Sequence, residues 1–374
     1  GWGVMGRNPR PGEIRQVAYQ QLARGADSQI LFCWRTPTAG REQYWHGLLG
    51  HDGTPGRRYE EAAATVRELR QLAPEIEGTG IRAPAALVYD YESAWAFEIQ
   101  PSYAPGEAGE LAGASNYKDA TRRFYGALFR AGVSVDMVRP GDDLTGYKLV
   151  FAPHLFILGD DTALRLVDYV RGGGVLVADC RTGVKDETGL CHARILPGLL
   201  GDALGISIHE YEALGAGVTY SLACAPPLAG SHRGARFADW VNLRGAERLA
   251  GYDEWHLRPY AAVTRNRFGR GWGYYVGTIV EEESFYDELA TEVLGRAGIV
   301  PAVRPPLGVE AIVREGGGRR VLFLINHTEA DTEVETPEGK VNLLSGSVTG
   351  RTAVIEPYGV MVLKLEGTTP RVLS

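Results

Sequence analysis

The segment from Trp34 to His46 gathers side chains suited to holding a polyol. Arg41-Glu42-Gln43-Tyr44-Trp45-His46 offers a carboxylate, an amide, an imidazole and two aromatic faces in one short run, just after Trp34-Arg35. Sugar hydroxyls take paired donors and acceptors, while the C–H face of a pyranose stacks on an indole. Trp2 can supply another stacking face. A packed loop with Trp45 as its anchor is the competing reading of the same residues.

Other chemical signals are weaker. Asp142-Asp143 and Asp160-Asp161 are acidic pairs, but each falls in a turn and reads as a helix cap. Cys180 follows an apolar run, where hydrolase nucleophiles can sit, yet the Gly-x-Cys-x-Gly elbow such a nucleophile needs is missing. His154 and His209-Glu210 are lone signals that read as surface or satisfied residues. Cys191-His192 is the one Cys/His adjacency. With no Cys-x-x-Cys pair, neither a metal site nor any other cofactor is expected.

The elements that must position these groups change character along the chain. Pro11 opens a helix with Ile14, Val17, Ala18 and Leu22 on one face, and Gly25 stops it. Ile30-Leu31-Phe32-Cys33-Trp34 reads as a parallel strand buried on both faces. A Gly-rich polar loop and a helix from about Arg58 to Leu72 follow. Such an α-β-α piece cannot enclose a core by itself, so it reads as the end of a larger βα-repeat domain.

From about Ile81, strands at 85–89, 133–138, 148–152 and 175–178 alternate with helices. That alternation predicts a doubly wound parallel sheet. Residues 189–278 are less regular, with short β segments at 261–264 and 273–276, before a helix over Ser284–Ala297. Pro301, Pro305 and Pro306 mark a stiff linker. Beyond it the apolar period falls to two, predicting short antiparallel strands turned by Gly316-Gly317-Gly318 and by Glu338-Gly339. The expected domains are 1–78, 79–302 and 303–374. Neither an internal repeat nor a low-complexity segment is evident.

Composition narrows the function classes. The chain has 374 residues, 44% of them hydrophobic, and a formal net charge of -7. Its mean hydropathy is -0.15 and its pI about 5.7. An acidic balance argues against a nucleic-acid partner, whose phosphates need a basic face. No run of about 18 apolar residues is present to form a membrane-spanning helix. Four scattered cysteines suit free thiols in a reducing, cytoplasmic compartment.

Several runs together resemble glycoside hydrolase family 42, the β-galactosidase type. They are Asn-Pro-Arg-Pro-Gly-Glu-Ile-Arg from Asn8, the run from Gln20 to Asp27, Phe32-Cys33-Trp34-Arg35, and the run from Glu42 to Gly53. Asn116-Tyr117-Lys118, Val175-Leu176-Val177 and the stretch from Thr264 to Thr278 resemble the family's flavodoxin-like trimerisation domain. Phe323 to His327 and Leu343 to Gly346 resemble its small C-terminal β domain.

The resemblance implies a terminal fragment of a (β/α)8 barrel, then a flavodoxin-like α/β domain, then an antiparallel β-sandwich domain. It implies a homotrimer and a galactoside substrate hydrolysed with retention. One Glu acts as acid/base and another as nucleophile. The family positions of both glutamates fall before Gly1, so neither is expected here. Trp2 matches a sugar-stacking Trp, and Glu42 a carboxylate that binds galactose hydroxyls. The next binding position falls on Trp45 or on His46. Trp34 and Arg35 would shape the pocket floor, with a buried salt bridge as the equal reading for Arg35. A non-catalytic trimeric, carbohydrate-associated protein is the alternative for the chain as a whole.

Overall fold

A computed structural model describes residues 6–100, 112–215 and 217–365, with backbone only at 112–116. In chain order the elements begin with α1 (Glu13–Ala23) and α2 (Arg57–Ile76), then β1 (Ala85–Val88), α3 (Tyr91–Ile99) and α4 (Ala112–Arg130). Next come β2 (Val135–Val138), β3 (Leu149–Ala152), α5 (Asp160–Gly172), β4 (Val175–Asp179) and the short α6 (Gly201–Leu204). Then follow β5 (Ile206–Ala213), β6 (Thr219–Cys224), β7 (Ser231–Leu243), β8 (Glu247–Tyr252), β9 (Ala261–Phe268), β10 (Gly271–Val276), β11 (Thr278–Val280) and α7 (Glu283–Arg296). The last strands are β12 (Val309–Gly316), β13 (Arg319–Asn326), β14 (Thr332–Glu335), β15 (Val341–Asn342), β16 (Thr352–Ile355) and β17 (Val360–Leu365). Two compact units result, one made of Gly1–Arg82 with Pro301–Ser374 and the other of Ala83–Val300.

In the second unit β10, β4, β3, β1 and β2 lie side by side in that order, all parallel. Period-two alternation sends Leu87, Phe151 and Val177 into a core with Phe124, Leu128, Leu289 and Val293. It sends Val88, Val150 and Leu176 into a second core with Leu166, Val167 and Val170. Helices on both faces are why these strands read as unbroken apolar runs. β10 also pairs antiparallel with β9, which extends the sheet through β8, β6, β7 and β11, so the sheet is mixed. The irregular region expected at 189–278 is in fact mostly long strand, including the 13-residue β7. α3 was not expected at all. Its start is set by Asp90, whose carboxylate accepts from Ser93 N at 2.9 Å and Glu92 N at 3.3 Å.

In the first unit, β12, β13, β17 and β15 form a separate small antiparallel sheet. Gly317 and Gly318, at φ 56° and 75°, turn the β12–β13 hairpin, as both central positions of a type I′ turn require. On β13, Val321, Phe323 and Ile325 pack with Tyr19, Leu72 and Ile76. Leu322 and Leu324 face the opposite way, toward Val334, Ile355 and Leu363. The turn at Glu338-Gly339 does not close a hairpin as expected. It joins β14, which pairs with β16, to β15, which pairs with β17.

Residues 30–34 depart most from expectation. They form no strand, Ile30 is 95% exposed, and Leu31, Phe32 and Trp34 are exposed as well. Among the described residues no strand lies alongside to bury such a run. Only Arg35 forms a parallel bridge, to Leu49.

β12 carries two buried charges. Glu310, 1% exposed, accepts from Gln20 at 2.9 Å, Arg24 at 2.7 Å and His327 Nε2 at 2.9 Å. Burial by itself would raise this carboxyl, but the His327 hydrogen bond and the Arg24 charge outweigh it and hold Glu310 below its ordinary value. Arg314, 3% exposed, donates to Leu22 O, Thr79 O and Thr79 Oγ1. Arg314→Met leaves the buried Thr79 carbonyl without its donor and should lower stability by about 2 kcal/mol, read from the urea midpoint.

Candidate functional site

The loop that carries Glu42 is pinned at its base by backbone pairing. Leu48 N donates to Cys33 O at 2.9 Å, Leu49 N to Trp34 O at 2.8 Å, and Thr36 N to Leu49 O at 3.1 Å. Buried Thr36 completes the clamp. Its hydroxyl donates to Leu49 O at 3.0 Å and accepts from Gly47 N at 3.0 Å. The two segments approach so closely that a Cβ on Gly47 would lie 2.6 Å from Arg35 C and Thr36 N.

Above this base the candidate residues divide by what already occupies them. The Arg35 guanidinium, exposed and in no ion pair among the described residues, donates to His51 O from Nε at 3.0 Å and from Nη2 at 2.5 Å. The buried salt bridge considered for Arg35 is therefore not what forms. His46 donates from Nε2 to Gly6 O at 2.9 Å, and His51 from Nε2 to Gln43 O at 2.7 Å. Trp45 is half-buried and packs edge-on against Phe32, with centroids 5.8 Å apart. Trp34, 61% exposed, leans edge-on against Tyr59 at 5.9 Å.

Glu42 is exposed, and its carbonyl accepts Trp45 N at 2.8 Å in a turn. Its carboxylate takes no hydrogen bond from another described residue. Asp52 is occupied by Thr54, whose hydroxyl and amide hold it below the ordinary carboxylate value. The loop thus presents the exposed carboxylate of Glu42, and Trp34 and Tyr44 are exposed as well, while Arg35 and His46 stiffen it through backbone carbonyls. Trp2 lies outside the described residues.

Comparison with known proteins accounts for most of the chain. Residues 1–72 match the family model described as Beta-galactosidase. Residues 308–365 match the Beta-galactosidase C-terminal domain, and residues 83–300, more than half of the chain, match the Beta-galactosidase trimerisation domain. The chain belongs to glycoside hydrolase family 42. Among its relatives, the β-galactosidase BglY of Alicyclobacillus acidocaldarius is 33% identical over 97% of this family 42 chain and 53% of its own length. The β-galactosidase Bga of Halorubrum lacusprofundi is 34% identical over 95% and 52%. The crystal structure of the β-galactosidase from Bacillus circulans sp. alkalophilus superposes with a TM-score of 0.88 at 30% identity, covering 97% of this chain and 54% of that one. The chain spans about half the length of the curated relatives it matches.

The family 42 chain also holds a polar cluster that its sequence did not disclose. His154, read as surface or satisfied, is 1% exposed with φ 44°. Its amide donates to Asp179 Oδ1 at 2.5 Å, and its Nδ1 lies 2.9 Å from Asp179 Oδ2. Beside it, buried Asp239 on β7 accepts from the Tyr275 hydroxyl at 2.6 Å. Burial pushes Asp239 up to about 7, against the opposing effects of that hydrogen bond and of Arg181. The Cys180 thiol is raised well above its ordinary value by the same burial, so it is no nucleophile.

The only signal for Asp239 was an acid between Ala238 and Trp240 in a stretch of weak alternation. The acidic pairs do not cap helices as expected. Asp142 accepts from Arg139 N and Asp143 from Thr145 N in turns, and Asp160 follows the α5 cap residue, Gly159. His209 and Glu210 are exposed at a register shift in β5.

Two outcomes follow. Gly47→Ala should destabilise the loop by about 2 kcal/mol, read in urea unfolding. Asp239 titrates near 7 when folded and near 3.8 when unfolded. Its stabilising effect is complete below the unfolded value and is lost as pH rises through about 7. Across that window stability should fall with pH by up to about 1.4 kcal/mol per unit, and Asp239→Asn should flatten the slope in denaturant titrations.

Proposed function

We propose that this chain is part of a retaining β-galactosidase, acting on terminal non-reducing β-D-galactosyl residues. It supplies part of the sugar-binding rim and the assembly domains. The observation that carries the reading is the run of three family matches, whose first region holds the exposed Glu42 and Trp34. Double displacement needs two carboxyl groups about 5 Å apart. The segment from Trp34 to Trp45 has Glu42 alone, so Glu42 is assigned to galactose hydroxyls. The acid/base and nucleophile glutamates are assigned outside these 374 residues. Trp2 and Trp34 are assigned to stacking, Trp45 to the wall, and Arg35 and His46 to holding the rim in shape.

The domain reading is 1–78 as the end of a (β/α)8 barrel, 79–302 as a flavodoxin-like trimerisation domain, and 303–374 as an antiparallel β-sandwich domain. The exposed apolar run Ile30 to Phe32 supports the first. A groove of about 540 Å³ lined by Leu31, Val66, Leu69 and Ile76 supports it too, as a face that further barrel elements would cover. For the second, the parallel strands in spatial order β2, β1, β3, β4, β10 have the flavodoxin-like order 2-1-3-4-5. The trimerisation-domain match supports a homotrimer. Free cysteines support a cytoplasmic setting, and no helix among the described residues is long and apolar enough to cross a membrane.

The test is hydrolysis of a chromogenic β-galactoside. The chain alone should give no turnover, and a polypeptide extended to the length of the relatives should be active. In that longer protein Glu42→Ala should lower kcat/KM by about a hundredfold. Turnover by the 374 residues alone would refute the assignment of both glutamates elsewhere. Inactivity of the extended protein would favour a non-catalytic trimeric, carbohydrate-associated protein, a reading that the lone carboxylate of the loop supports.

A further inference from the structure

Within Ala83–Val300, the turn joining β8 to β9 presents an indole to solvent. Trp255 is 82% exposed, yet the backbone beneath it is firmly held. Leu257 N and Arg258 N donate to Glu254 O at 2.9 and 3.0 Å, and the Leu257 side chain is fully buried. Arg248 donates to Arg258 O at 3.1 Å and to Pro259 O at 2.6 Å. On the strand side, Ser221 N donates to the Glu254 carboxylate at 3.2 Å.

Behind the indole stands His256, its ring 5.4 Å from that of Trp255, 6.0 Å from Tyr220 and 5.9 Å from Trp240. Glu212 lies next to His256. Its Oε1 accepts from Trp240 Nε1 at 3.3 Å and lies 3.9 Å from His256 Nε2. Glu212 and His256 are each 31% exposed, so both reach solvent. Burial first, and then Glu212, raise the Tyr220 phenol, which keeps it a protonated donor beside the carboxylate.

We propose that Trp255, His256 and Glu212 form a second carbohydrate site, separate from the Glu42 loop and selective for galactose-type sugars. The axial 4-hydroxyl of galactose leaves C3, C4 and C5 with their hydrogens on one face, a flat apolar patch that fits an indole. Hydroxyls at the sugar edge then reach the imidazole of His256, next to the indole, and the Glu212 carboxylate beside that imidazole. Glu212 is already fixed by Trp240, and the turn is fixed by Arg248, so binding orders little and the stacking energy is retained. A single shallow stack of this kind gives millimolar affinity, which suits a site that holds a polymeric or repeated galactoside near the protein rather than one that turns it over.

The test is 19F NMR of the protein labelled with 5-fluorotryptophan. The Trp255 signal is identified by its loss in Trp255→Phe. Lactose should shift this signal with millimolar affinity, and methyl β-D-glucoside about tenfold more weakly. Glu212→Gln should weaken the lactose effect about tenfold. A Trp255 signal unmoved by lactose, or moved equally by the glucoside, overturns the proposal. So does a Trp255→Ala protein that sediments as a smaller assembly than its parent, because another copy of the chain would then be what covers the indole. The signal is read at Trp255 without turnover, so its outcome is independent of what binds at Glu42.

Discussion

The first unit rests on the two buried charges of β12. Glu310, Ile312 and Arg314 face the helices, while Val309, Ala311 and Val313 face the opposite cluster. A slip of one residue would drive both charges into that apolar cluster, against Leu322 and Leu363. Removing one partner of such a buried pair is costly, because the other is left uncompensated in a poor dielectric. The Glu310–Arg24 ion pair and the Arg314 hydrogen bonds to Leu22 O and Thr79 therefore fix where α1 docks and which way β12 faces, whatever they add to net stability. The backbone beneath the Glu42 loop follows from that placement, since α1 and α2 flank it.

The second unit solves a different problem. Its central strands are buried on both faces, and its polar side chains collect near the carboxyl ends of β3, β4 and β10. Asp179 and Asp239 sit there in a largely dry environment. Asp179 accepts the His154 amide, while Asp239 accepts the Tyr275 hydroxyl and is raised by burial to about 7. Ligands of open α/β sheets commonly bind at these strand ends. Here Phe97 packs 5.4 Å from His154 and 4.7 Å from Phe156, and fills the region with rings.

What the residues disclosed follows from this division. β1, β3 and β4 were legible because burial on both faces demands continuous apolar side chains, and α5 because Leu166, Val167 and Val170 share one face. β7 was hidden because charged Arg233, Arg236 and Asp239 interrupt it, the last with its carboxyl raised by burial to about 7. Ile30 to Trp34 misled in the other direction, since an apolar run forms a strand only where neighbours bury it. At the loop, Glu42 and Trp34 could be picked out by residue type. The engagement of Arg35 and His46 with backbone carbonyls could not, because a carbonyl partner leaves no mark on the sequence.

The partnership of α1 with β12 also bears on how the polypeptide comes off the ribosome. The segments it joins are separated by all of Ala83–Val300, so the first unit is a discontinuous domain with the second inserted into it. Contacts of such long sequence separation form slowly. During synthesis α1 and α2 emerge before Ala83–Val300, and the sheet that covers Tyr19, Leu72 and Ile76 emerges after it. While Ala83–Val300 is being made, those side chains lack the sheet that covers them, which makes α1 and α2 a natural client surface for a chaperone.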